Sequence, residues 1–216
     1  MSKILNSACL TVMLLAVAAT AQDETSPANA TVKNAASEQE PLAEGGAVDG
    51  VVSFQASLTP TSAIYDRNTP VEGMTLSLWG ENPQKALAIG IINGSTGSSA
   101  GLSVGAFNYA ESYHGAQWAF VNCTEQDFTG WQGGPGLGLV INVVNYVGGR
   151  MKGLQTGLVN IAGTATGLQL GVFNYAEMAD SGMQVGLVNI IAQNRGWFSQ
   201  WPDEVAPGMV LVNWHF

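Results

Sequence analysis

Apolar and polar positions recur along the C-terminal two thirds of the chain. Short apolar runs, such as A-I-G-I-I-N, S-V-G-A-F-N-Y-A-E, L-Q-L-G-V-F-N-Y-A-E and M-Q-V-G-L-V-N-I-I, each close on an asparagine. The series is Asn93, Asn108, Asn122, Asn145, Asn160, Asn174, Asn189 and Asn213. Most neighbours in it stand one short, nearly constant step apart, and two steps, Asn122 to Asn145 and Asn189 to Asn213, are longer. The unit is therefore about 15 residues long with two insertions, and a fixed period must be settled before any other reading of the fold. Each unit is too short for a helix pair. Its runs of Leu, Val, Ile and Phe lie between Gly, Ser, Asn and Asp clusters, which reads as a strand and a tight connection. Strands are expected at 51–58, 74–79, 86–92, 101–109, 115–122, 137–146, 153–161, 167–175, 182–190 and 209–216.

The residue after the asparagine alternates. Tyr109, Tyr146, Tyr175 and Trp214 alternate with Gly94, Cys123, Ile161 and Ile190. The true repeat is then two strands, as from Asn145 to Asn174 and from Asn160 to Asn189. An array of antiparallel hairpins would produce such a doubling. Residues 86–110, 128–149 and 153–176 carry no charge. A soluble antiparallel sheet with one wet face would alternate apolar with charged residues, so both faces are buried in protein or one faces lipid.

The last residues, M-V-L-V-N-W-H-F, favour lipid. Val210, Val212, Trp214 and Phe216 are apolar at every second position and line one face of a strand. This ending resembles the terminal signal of bacterial outer-membrane β-barrels, and the tandem G-[LM]-Q-x-G-[LV]-[VF]-N strings over much of 74–216 resemble a family of bacterial surface repeat-containing proteins. The resemblance implies a barrel inserted by the barrel-assembly machinery, with outer-membrane lipid around it, and no assigned activity. The fold expected is an all-β, antiparallel up-and-down transmembrane β-barrel of about ten short strands, an even number as such barrels require. The longest connections, 59–73, 123–136 and 191–208, fall on one side, and the short turns fall with the C-terminus on the other. Tyr109, Tyr146, Tyr175, Trp214 and Phe216 then form a membrane-interface girdle. Loop 191–208 is the richest candidate for an unknown extracellular partner, through Arg195, Trp197, Phe198 and Trp201. The rival is a β-solenoid in which each coil takes in the whole two-strand repeat as parallel strands, with the asparagines stacked as a ladder in a buried turn.

The N-terminal region reads differently. Lys3, the apolar run 8–19 and Ala19-Thr20-Ala21 form a signal peptide over 1–21. Its removal leaves Cys123 as the remaining cysteine, with no intramolecular disulfide expected. Residues 22–49 hold six acids, one lysine and no aromatic residue, which makes a disordered acidic linker. Residues 50–216 form the repeat-built β domain.

Composition narrows the function. Charged residues make up 11% of the chain, against about 25% in soluble domains. The net charge of −9 and pI near 4.4 argue against nucleic acid as a partner. His114 and His215 lie near no Gly-x-Ser-x-Gly string, and no zinc spacing is present. The Gly-rich run 130–138 lacks the lysine of a phosphate loop. Glu125/Asp127 and Asp203/Glu204 read as solvated loop charge. No cofactor or metal is expected. The function implied is a non-enzymatic outer-membrane surface protein that presents loops. The alternatives are a secreted or periplasmic solenoid acting as a binding or scaffold module, and a narrow solute channel.

Overall fold

The computed structural model describes residues 50–134 and 142–216; the expected signal peptide and linker lie outside them, as does part of the expected strand at 137–146. The described chain is all-β. Its strands are β1 (Val52–Thr59), β2 (Ser62–Ala63), β3 (Val71–Glu81), β4 (Leu87–Val104), β5 (Phe107–Trp118), β6 (Val121–Thr124), β7 (Phe128–Gly133), β8 (Val144–Ile191) and β9 (Gly208–His215).

The pairing corrects the expected antiparallel barrel. β1 pairs with β3 in parallel, and β3 with β4, β4 with β5, β5 with β6 and β7, and β6 and β7 with β8 do the same. Register partners lie one repeat apart: Asn93 pairs with Asn108, and Gly101 with Gly115. The chain therefore winds as a β-solenoid whose coil is one asparagine-to-asparagine unit, half the length expected of the solenoid alternative. β8 runs unbroken for 48 residues and carries Asn145, Asn160, Asn174 and Asn189 through successive coils. The antiparallel pairs are β1–β2 and β8–β9, one at each end of the stack.

The interior explains the repeat. Asn93, Asn108, Asn122, Asn145, Asn160, Asn174 and Asn189 are at most 3% exposed and form a column. Each Nδ2 donates to Oδ1 of the next asparagine toward the C-terminus, at 2.8–3.0 Å. The other amide hydrogen goes to a backbone carbonyl, as from Asn160 to Leu170 at 2.9 Å. A second column holds Gln117, Gln132, Gln155, Gln169 and Gln184. Here each Nε2 donates toward the N-terminus, at 2.7–2.9 Å. Buried amides must be satisfied or they destabilise the fold, and parallel stacking offers each the same partner one coil on.

Beside the ladders, apolar interior columns hold Ala110, Val147, Ala162, Ala176 and Ile191, then Tyr113, Phe128, Met151, Ala165 and Ala179. Glycine makes room for the amides. A Cβ at Gly171 would lie 2.5 Å from Asn160 Nδ2 and 2.9 Å from Asn174 Oδ1. Another glycine column turns the corner before the glutamines: Gly153 has φ +128°, and a Cβ there would lie 2.1 Å from the Gly130 carbonyl oxygen. Both space and backbone therefore require glycine.

Strict alternation along a straight strand puts Asn174 with Leu168, Leu170 and Val172, and Gln169 with Tyr175. The structure instead turns between Val172 and Phe173, neither of which is buried. Side-chain parity resets at this corner, so Gln169 and Asn174 both point inward. Cys123 is fully buried. Asn213 does not extend the ladder; it lies opposite Gln184 in β9 and donates to the carbonyls of Ala206 and Asn189.

Asn160→Ala deletes two ladder hydrogen bonds and one to the Leu170 carbonyl and leaves buried partners unsatisfied. It should lower unfolding free energy by about 3 kcal/mol in a denaturant titration. Lys152→Ala, at an exposed position, should change it by less than about 0.5 kcal/mol.

Candidate functional site

With the amides inside, the large apolar side chains face out. Between the corner glycine and the asparagine, alternate residues point outward. The outermost column runs Leu78, Ile91, Ala106, Phe120, Val143, Leu158, Val172 and Leu187, and beside it stand Leu76, Ile89, Val104, Trp118, Thr156, Leu170 and Val185. Leu78 is 54% exposed, Ile91 55% and Leu187 61%, values unusual for side chains of this size. No charged residue stands in either column. The side that flanks the asparagine is also apolar, but better covered: Phe107, Tyr109, Val121 and Cys123 pack together with Ile92, Val144 and Tyr146.

The charges gather on the remaining side. Glu111, Glu125, Asp127, Arg150, Lys152, Glu177 and Asp180 all stand a few positions after a ladder asparagine. They interact across coils there: Glu111 accepts from the Gly97 amide at 3.0 Å, Asp127 from the Arg150 amide at 2.8 Å, and Arg150 pairs with Asp180 at 3.3 Å. The solenoid is therefore amphipathic around its girth. Part of the apolar wall is hollowed near the N-terminus into an open groove of about 660 Å³, lined by Leu58, Ile64, Leu76, Leu78, Ile89 and Ile91 with Ser57, Ser62 and Ser77 among them.

Polar clusters close the two ends. At the N-terminal end Glu81 is 3% exposed and pairs with Arg67. Tyr109 donates its hydroxyl proton to Glu81 at 3.0 Å and accepts from the Trp79 indole at 3.2 Å. Burial pushes the Tyr109 hydroxyl far above its usual range; the Trp79 hydrogen bond opposes this and the Glu81 charge adds to it. Tyr113 is raised by burial alone.

At the C-terminal end the expected contact loop is a cap. Arg195 donates its backbone N–H to Glu204 at 3.1 Å. Glu204 is 2% exposed, not solvated loop charge, and its other oxygen lies 3.5 Å from His215 Nδ1. His215 also meets Asn194 Oδ1 and Gln193 Nε2 at 2.8 Å each. Trp201 packs on Trp214 at 5.3 Å between ring centroids and on Phe198 at 6.2 Å. Trp214 donates to the Pro202 carbonyl at 2.9 Å. Trp197, Phe198 and Trp201 keep more than half of their surface exposed.

The expected interface residues are thus divided. Tyr109, Tyr146 and Tyr175 follow ladder asparagines and share one side of the solenoid, with Tyr109 buried. Trp214 and Phe216 belong to the C-terminal cap, where the Phe216 N–H donates to the Asp203 carbonyl at 2.9 Å. The exposed wall was missed at the level of sequence. Its signal was present in the alternate positions of L-Q-L-G-V, but only with the glutamine and glycine assigned inward. Among the described residues no group of three or more His, Cys, Asp or Glu side chains is placed to hold a metal ion. No family model, curated protein or solved structure matches the chain.

Tyrosine in the unfolded chain ionises near pH 10, whereas Tyr109 and Tyr113 in the folded chain hold their protons well beyond that. Their contribution to stability is therefore complete below about pH 10 and lost as pH rises further. Unfolding free energy should therefore fall progressively as the pH rises above about 10, and Tyr109→Phe should flatten that fall.

Proposed function

We propose that this protein is a non-enzymatic binding or scaffold module of the bacterial cell envelope, working through the outer wall of its solenoid. The observation that carries this reading is the sorting of side chains by face. Exposed aliphatic and aromatic residues run the length of one wall, and the charges of the coils gather on another side. An exposed apolar surface of this extent is characteristic of protein or membrane contact sites. A rigid amide-laddered interior supports such a role, because it holds the wall in one shape.

The compartment follows from the apolar N-terminal run, which favours export to the cell envelope. Parallel coils support the solenoid form of this role over a loop-presenting transmembrane barrel. Interior columns filled by Gln, Asn and Ala side chains do not favour a solute channel.

A photo-crosslinking amino acid at Ile91 or Leu158, both on the wall, should yield adducts in intact cells. The same group at Glu177, on the charged side, should yield few. Equal labelling from both sides, or none from the wall, would remove the basis for this function.

A further inference from the structure

We infer that the occupant of the wall is a lipid surface, and that the solenoid lies with its axis in the membrane plane, its charged side toward water. This rests on the reading that the wall is the working surface, and adds what it binds.

Leu78, Ile91, Phe120, Val172 and Leu187 stand in one column and are each at least 40% exposed. The wall from Leu78 to Leu187 crosses eight coils, which at about 4.8 Å per coil makes it roughly 34 Å long. Its width is about five strand residues, or roughly 15 Å. The projected footprint is then about 500 Å², a long narrow strip that lies along a surface.

Its relief points the same way. The column steps from Ile91 to Ala106 to Phe120, and Trp118, 39% exposed, stands beside it. A second copy related by a two-fold axis would have to match these steps, because protein interfaces need close complementarity. Fluid hydrocarbon chains conform to them without that demand. A charge-free wall suits hydrocarbon, since an ionised side chain carried into it would be costly. The placement of Glu111, Asp127, Arg150 and Asp180 on a different side keeps the charges in water, as in helices that lie along a bilayer surface. Indole groups such as that of Trp118 favour the membrane boundary.

The test uses the full chain and phosphatidylcholine vesicles in a flotation gradient, with brominated phosphatidylcholine as a quencher of tryptophan emission. The wild-type protein should float and be quenched. Leu78→Glu, Phe120→Glu and Leu187→Glu combined should lower the bound fraction at least about ten-fold. Lys152→Glu, on the charged side, should leave it unchanged. Far-UV circular dichroism must show the triple variant still folded; if it is not, glutamine at the same positions replaces glutamate, and binding must still fall.

Sedimentation velocity without vesicles separates the failures. A wild-type dimer that does not float, and that the wall substitutions dissociate, would overturn lipid as the occupant and keep the wall as a docking surface. A wild-type monomer that neither floats nor is quenched would overturn lipid as the occupant, and the absence of crosslinks from Ile91 and Leu158 in cells would overturn the wall as well.

Discussion

The structure depends on one constraint: two columns of carboxamides, sealed inside a narrow β-coil, are satisfied by copies of themselves one turn away together with nearby backbone carbonyls. An isolated buried amide would cost more than its neighbours could return. A column supplies every member with a donor and an acceptor in the same geometry. The two ladders run with opposite polarity, asparagines donating toward the C-terminus and glutamines toward the N-terminus. Gln184 Oε1 ends the second ladder as a buried acceptor with no partner, where a further coil would have supplied one.

Much else follows from that interior. Parallel register is required, because only then does asparagine meet asparagine. Glycine is required where a side chain would enter the ladder, as at Gly171. The interior beside the ladders is taken by alanines with Val147, Phe128, Met151 and Ile191, and the leucines of the repeated runs stand outside. Repeated amides inside and repeated leucines outside reverse the usual placement of these residue types in a soluble domain. The ends need separate solutions, because a ladder has no natural stop. Arg67, Glu81 and Tyr109 lock the first coils, and the Glu204–His215 pair with Trp201 and Trp214 closes the last. The aromatic C-terminus acts in this fold as part of a lid.

This arrangement also sets where function can reside. The ladders commit their polar groups to one another, and the amphipathic girth offers an extended, rigid contact surface. That is the physical basis for reading the protein as a docking module.

Several features were legible in the sequence. The short period marked by the asparagines, the all-β class and the absence of charge from the repeated runs follow from spacing and composition. The pairing direction was not legible. Repeated strands of this length can form hairpins or coils, and the alternation of Tyr with Ile after the asparagine fits either. Nor could a straight alternating strand reveal the corner between Val172 and Phe173, which turns Gln169 and Asn174 to the same side. Tertiary structure decided these points because the partner of each amide lies one whole coil away. A single strand carries the donors and acceptors, but only stacking determines which of them meet, and so which residues are left to face outward.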